Sequence, residues 1–401
     1  MRWLAIVGIG EDGIAGLGEA ARQRIADARI VYGGARHLAL AGALITGERR
    51  VWQSPLLNSI NALLEQRDQA VCILASGDPF HYGIGATLSR HVAAAEIEVF
   101  PQPSSFSLAA ARLGWPLQEV VTLSLHGRPL DLIRPHLHAG ARILALTSDE
   151  AGPAMLAQLL DSAGFGPSRI SVLEALGGSD ERVRSTTASQ FDLAEINPLN
   201  LCAIDAIPAP AARSIAFSAG RDDDLFEHDG QITKREIRAL TLSALAPCCG
   251  EVLWDIGAGS GSVAIEWMLA DPSLRAIAIE ADGTRVARIG RNASAFGVPD
   301  LRIEHGSAPA ALAGLGRPDA IFVGGGGTEP GLMDAAISAL PQGGRLVANA
   351  VTTQMEAVLL DQYARHGGQL TRIAIDRAAP IGTMTGWRPA MPITQWRWTK
   401  P

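Results

Sequence analysis

The sequence predicts an α/β protein built as two domains, and three observations carry that prediction. The chain has 401 residues and 47% hydrophobic content, whereas single cores rarely grow beyond roughly 250–300 residues. Apolar runs of strand length alternate with helix-length segments from end to end, the pattern of sheets covered on both faces. One stretch breaks the rhythm, "DAIPAPAARSIAFSAGRDDD" at 205–224. Pro208 and Pro210 fix φ and remove backbone donors there, so the stretch reads as a linker and places a boundary near residue 210, giving domains 1–210 and 211–401.

Composition narrows the function. A net charge of −7 argues against nucleic acid as a partner, because neutralising phosphates takes a basic face. Only Lys234 and Lys400 are lysines, an arginine bias that reflects composition rather than anion recognition. Cys72, Cys202, Cys248 and Cys249 form neither CxxC nor a metal-ligand spacing, so a reducing cytoplasm and no disulfide framework are expected. No signal-peptide pattern opens the chain and no apolar stretch approaches about 18 residues, so no membrane partner is expected. His136 and His138 lie two apart and do not share a helix face, and no metal is expected.

In chain order, the first element is a strand followed by "IVGIGEDG", in which Gly8, Gly10 and Gly13 satisfy GxGxxG. A dinucleotide site also needs a helix at once and an acid about 20 residues on. Here "IAGLG" is a poor helix opening, and the next strand, "RIVY", ends in Gly33 and Gly34. NAD binding is therefore disfavoured. Three further stretches, "ASGDPFHYGIGATLS" (75–89), "PQPSSFSLAAARLGWP" (101–116) and "SLHGRP" (124–129), place glycine, proline or serine straight after an apolar strand. Such backbone-rich loops at strand carboxyl ends are where α/β sheets bind ligands.

Beyond the linker, seven strands are expected: 251–256, 275–280, 301–306, 318–324, 344–350, 369–375 and 393–398. Helical segments separate the first six. "DRAAPIGTMTGWRPAMP" joins the last two without a convincing helix, which implies a parallel sheet finished by an antiparallel strand.

The first of these strands runs into "DIGAGSG", where Asp255, Gly257, Ala258, Gly259, Ser260 and Gly261 spell DxGxGxG. This spacing favours S-adenosylmethionine over a nicotinamide nucleotide. Glycines let the backbone approach the ligand, and an acid closing the second strand, Glu280, can accept both ribose hydroxyls. Ser307 and Ala308 follow the third strand, where the adenine would lie. "VGGGGTEPG" follows the fourth, and consecutive glycines imply a backbone passing close to something large.

Several segments carry a resemblance. "DDLFEHDGQITKREIRAL", "DIGAGSGSVAIEW", "GSAPAAL", "VGGGG" and "GGRLVANAVT" resemble the precorrin decarboxylating methyltransferases of cobalamin synthesis over nearly all of 222–398. The resemblance places Thr233, followed by Lys234, near the methyl donor, and "GTM" at 382–384 is similar to that family's segment before its last strand. The first half, with "VGIG" and the three backbone-rich loops, resembles the tetrapyrrole methylase family. That implies a two-lobed domain whose S-adenosylmethionine lies in the cleft, with Gly8, Gly10, Asp78, Gly83 and Ser104 or Ser105 lining it. Members often carry proline where this chain has Glu11.

The fused pair resembles the decarboxylating C5,15-methyltransferase family. The implied activity is methylation of precorrin-6B at carbons 5 and 15 with loss of carbon dioxide from the ring C acetate, giving precorrin-8X, with two S-adenosylmethionine sites and a homo-oligomeric state. Enamine-like meso carbons are already nucleophilic, so positioning can supply much of the catalysis. No pyridoxal or thiamine motif is present, and a conjugated macrocycle can act as its own electron sink. His228, Asp229 and Glu251 are candidate proton donors that spacing does not separate, so no catalytic residue is assigned. Arg221, Lys234, Arg235 and Arg388 are candidate cations for a polycarboxylate, and Trp387 a candidate stacking partner. Three rivals remain open: a methyltransferase for another natural product, a dehydrogenase using the first loop, and a scaffold that only binds the cofactor.

Overall fold

Runs of apolar residues with no polar alternation are the mark of strands buried on both faces. The run "LAIVGI" forms β1 (Leu4–Ile9), which is buried at every position. A computed structural model describes residues 2–401, and the chain forms two compact units, one of residues up to 130 with 136–213, the other of 131–135 with 214–401.

The first unit holds two five-stranded sheets. In the first, β1 is joined by β2 (Ile30–Gly33), β3 (Glu48–Val51), β4 (Val71–Ser76) and β5 (Ile97–Phe100), all parallel, in the order β3-β2-β4-β1-β5. Successive side chains point to opposite faces: Ile6, Tyr32 and Ile73 pack into one core and Val7, Val31 and Leu74 into the other. The second sheet contains β6 (Val120–Ser124), β7 (Arg142–Leu146), β8 (Arg169–Glu174), β9 (Arg182–Thr187) and β10 (Asn200–Asp205). Its order is β6-β7-β10-β8-β9, with β10 antiparallel to both neighbours.

The second unit is a single seven-stranded sheet with a separate hairpin. Its strands are β11 (Val252–Ile256), β12 (Arg275–Glu280), β13 (Arg302–His305), β14 (Ala320–Val323), β15 (Arg345–Ala350) and β16 (Gln369–Ile373). The hairpin is β17 (Asp376–Ile381) and β18 (Met384–Pro389), and β19 (Ile393–Thr399) completes the sheet. All seven strands read from the sequence are in the sheet, in the order β13-β12-β11-β14-β15-β19-β16. The first five are parallel, and β19 is antiparallel to β15 and β16, between which it is inserted. Strand order reverses between β11 and β14, and a crevice opens at the carboxyl ends of such a switch point.

One local expectation is corrected. Only a single 3₁₀ turn, Ala310–Leu312, separates β13 from β14, instead of a helix. The stretch without a helix is the β17–β18 hairpin, closed by Gly382 at φ +60°. Nearly every hairpin residue is exposed, so no buried face imposes the period-two alternation that reveals a strand.

Candidate functional site

The loop after β11 is held open by left-handed glycines, Gly257 at φ +70°, Gly259 at +59° and Gly261 at +77°. At Gly257 a side chain is excluded twice over, because a Cβ there would sit 2.7 Å from Gly325 Cα in the loop after β14. The two loops flanking the switch point therefore touch backbone to backbone.

Asp255 lies behind this loop and is 1% exposed. Its Oδ2 accepts the Ala264 N–H at 3.0 Å, while Oδ1 is buried without a partner. Burial pushes its carboxyl up to about 7; the Ala264 N–H works against that shift and the Glu280 charge adds to it. Glu280, the last residue of β12, is 6% exposed. One carboxylate oxygen accepts the Gly259 N–H at 2.8 Å and the other the Asp282 N–H at 3.0 Å.

A cavity of about 850 Å³ opens on these loops. Thr233, Gly257, Ala258, Gly259, Glu280, Ser307 and Ala308 line it together, while Asp255, Ser260 and Gly261 are not in its wall. The opposite wall is largely apolar, with Ile237, Phe322, Leu332, Val351, Ile373, Ile375, Met391 and Ile393, and it also includes Glu329, Asn349 and Thr352.

The cations differ from the sequence expectation. Arg221 is buried against Glu266 at 3.5 Å, and Arg235 pairs with Asp222 at 2.8 Å; neither lines the cavity. Lys234 does, 3.8 Å from Asp223. Arg285 and Arg377, which the sequence reading did not single out, also line it, paired with Asp229 at 3.0 Å and with Glu236 respectively. Of the possible proton donors, Asp229 is held well below the usual carboxylate range by the Gln231 N–H, then by Arg288 and Arg285. Glu251 is engaged by Arg345 and by the Cys248 N–H, and His228 Nδ1 accepts the Gly230 N–H at 3.0 Å. Trp387 is 73% exposed on the hairpin and outside the cavity wall.

In the first unit, β1 sits between β4 and β5, so the loops after these strands meet. Gly8 shows how closely: a Cβ on it would lie 1.8 Å from the Gly77 carbonyl oxygen. Gly8 lies near the end of β1, and Gly10, Asp78, Gly83, Ser104 and Ser105 follow β1, β4 and β5, at the carboxyl ends of the first sheet's strands. Asp78 Oδ1 accepts the Phe80 N–H at 2.8 Å, making an Asx turn, and Gly83 precedes the helix Ile84–Leu88. Ser104, 7% exposed, caps the helix Ser105–Leu113 by accepting the Ser107 N–H. The same end of the sheet carries a polar cluster that spacing did not reveal. His37 Nε2 lies 2.8 Å from Ser76 Oγ, and Arg36 donates to both residues while pairing with Glu11. Burial, and then Arg36, push the His37 imidazole down to about 4.

Comparison with known proteins decides between the readings. A family model for the precorrin methyltransferase domain matches residues 224–400, and one for tetrapyrrole (corrin/porphyrin) methylases matches 4–192. A Sinorhizobium sp protein named precorrin-6Y C(5,15)-methyltransferase (decarboxylating) is 64% identical over 398 residues, covering 99% of this chain and 96% of that protein. The chain belongs to the precorrin-6Y C(5,15)-methyltransferase family. A relative of the same name from Mycobacterium tuberculosis (strain CDC 1551 / Oshkosh) is 42% identical, with 99% of this chain and 100% of that one covered. The solved C-terminal domain of precorrin-6Y C5,15-methyltransferase from Rhodobacter capsulatus is 50% identical, covers 46% of this chain and all of its own, and has a TM-score of 0.45.

Methylases of the precorrin-6Y methyltransferase family take their methyl group from S-adenosylmethionine. The second unit's residues fit that donor. Gly257, Ala258 and Gly259 bring backbone to the cavity wall, Glu280 presents its carboxylate beside them, and Asp255 lies behind the loop with one carboxyl oxygen buried and unpartnered.

Proposed function

We propose that this chain methylates precorrin-6B at carbons 5 and 15 and removes carbon dioxide from the ring C acetate, giving precorrin-8X, with one S-adenosylmethionine site in each of the domains 1–210 and 211–401. The single observation that carries the reading is the cavity of about 850 Å³ at the switch point of the second sheet. One half is built by the loops after β11, β12 and β13 and suits the donor through Thr233, the Asp255–Gly261 loop, Glu280, Ser307 and Ala308. The other half, after β14 and β15, is largely apolar but carries Glu329, Asn349 and Thr352, and takes the macrocycle. Decarboxylation and C15 methylation are assigned to this domain. C5 methylation is assigned to the first, where Gly8, Gly10, Asp78, Gly83, Ser104 and Ser105 frame the donor.

When bound, S-adenosylmethionine supplies an electrophilic methyl carbon. The protein holds a nucleophilic meso carbon in line with it, an effect that can lower a barrier by about 7–11 kcal/mol in favourable cases. Tethered cations suit a polycarboxylate: Lys234, Arg285 and Arg377 are each held by an acid, so they offer fixed N–H groups at the rim without a mobile charge. The exposed apolar side chains of the hairpin, Ile381, Met384 and Trp387, support a homo-oligomer, which light scattering checks.

Incubation with precorrin-6B and S-adenosylmethionine, followed by mass spectrometry, tests the function. Two methyl gains and one loss of carbon dioxide are expected. Titration with S-adenosylhomocysteine should show two sites, and titration with NADH none.

A further inference from the structure

β15 carries an apolar run that ends in an amide, and the amide is locked. Asn349 Nδ2 donates to Thr241 Oγ1 at 2.9 Å, and Asn349 Oδ1 accepts from Gln395 Nε2 at 2.9 Å. Gln395 is the direct partner of Asn349 on β19, and Thr241 comes from the helix Arg235–Leu245. Both anchors are buried, Thr241 at 0% exposure and Gln395 at 6%, and neither lines the cavity, whereas Asn349 does. Three polar side chains between a helix and a sheet are a poor substitute for apolar packing unless the orientation they enforce is used. A primary amide has two donors and two acceptor positions. The anchors take one of each, which leaves one N–H and one lone pair on a side chain in the cavity wall.

We propose that Asn349 is a catalytic residue that holds the departing acetate carboxylate of the macrocycle, an inference that rests on the activity proposed above. Sheet order places it in the correct half. Glu280 ends β12 and Ser307 follows β13 on one side of the switch point, and Asn349 is the penultimate residue of β15 on the other. The chemistry explains an amide in place of a guanidinium. In the step, the bond from the acetate methylene to its carboxylate breaks and the electron pair enters the conjugated, ring-protonated macrocycle. Carbon dioxide leaves, and the methylene takes a proton from water to become methyl. A carboxylate loses its charge on this path, so a cation beside it would stabilise the ground state more than the transition state. The wall's lysine and two arginines each already face an acid, and the neutral amide orients the carboxylate beside Val351, Ile373 and Ile393 without fixing its charge.

The test follows the full chain with precorrin-6B and S-adenosylmethionine, measuring carbon dioxide loss and methyl gain by mass spectrometry and S-adenosylhomocysteine affinity by calorimetry. Asn349→Ala should slow carbon dioxide loss roughly tenfold, the scale of one neutral hydrogen bond, with affinity at the second site unchanged. Asn349→Asp, which sets a carboxylate against the one that departs, should raise KM for the macrocycle as well, because the repulsion is greatest in the bound ground state. If neither folds, Thr241→Val removes one anchor away from the cavity and should raise KM for the macrocycle with donor affinity intact. Wild-type rates of carbon dioxide loss in the variants, or parallel loss of decarboxylation and donor affinity, overturn the role of Asn349. A wild-type chain that releases no carbon dioxide overturns the underlying activity and this role together.

Discussion

Glu280 accepts the Gly259 N–H at 2.8 Å, so the acid that closes β12 also pins the glycine loop that follows β11. Its other oxygen holds the Asp282 N–H at 3.0 Å. Two backbone donors leave lone pairs on both oxygens for ribose hydroxyls. Glutamine has a single oxygen and cannot serve both N–H groups. Glu280→Gln should therefore weaken S-adenosylhomocysteine at the second site by roughly ten- to a hundredfold, from the loss of one charge-assisted bond of about 1.5–3 kcal/mol. Calorimetry should show one weakened and one normal site. Wild-type affinity at both sites would reduce Glu280 to a loop brace.

Gly257 faces Gly325 across the switch point, where an added Cβ would lie 2.7 Å from a backbone carbon. Alanine also meets the left-handed φ of +70°, a conformation that costs L-residues about 1–2 kcal/mol. Gly257→Ala should lower the thermal transition of the second domain by about 5–10 °C and abolish its donor binding at micromolar ligand. An unshifted transition in a thermal scan would mean that the loops after β11 and β14 are not in contact.

The glycine loop and the position of Glu280 were legible because a tight strand-to-helix turn dictates residue type and spacing within a few positions. Long-range pairing was not. Arg221 reads as a free cation until Glu266, 45 residues on, is seen to face it. Asn349 belongs to the segment "GGRLVANAVT", yet its meaning depends on Thr241 and Gln395, 108 and 46 residues away. The β17–β18 hairpin left no periodic signal because neither face is buried. His37 and Ser76, 39 residues apart, meet only because β2 and β4 are neighbours in the sheet.

Asp255 makes stability depend on pH. Its carboxyl is pushed up to about 7 in the fold, chiefly by burial, against about 3.9 unfolded. The folded state therefore holds a proton that the unfolded state releases. The associated stability is fully present below about pH 4 and is lost as pH rises towards 7. Asn lacks this titration and still accepts from Ala264. The stability of Asp255→Asn relative to wild type should thus rise across pH 4–7 and level off above, by a few kcal/mol in denaturant titrations without donor. A pH-independent difference would place the Asp255 titration in the ordinary carboxylate range.

Asp78 gives the sharpest separation between the two domains. Its Oδ1 accepts the Phe80 N–H at 2.8 Å, so the residue shapes the loop after β4 whether or not it meets a donor. Asp78→Ala removes the turn and the charge together, whereas Asp78→Asn keeps an acceptor for the Phe80 N–H and removes only the charge. If the first domain methylates carbon 5, Asp78→Ala should leave a decarboxylated product with one methyl gain, since the second domain has its own core and loops. Asp78→Asn at wild-type rates would assign the residue to the turn alone, and a slow second methylation would assign its charge to the site. A doubly methylated product from Asp78→Ala at the wild-type rate would remove Asp78 from the first site and require the loop after β4 to be read as structural.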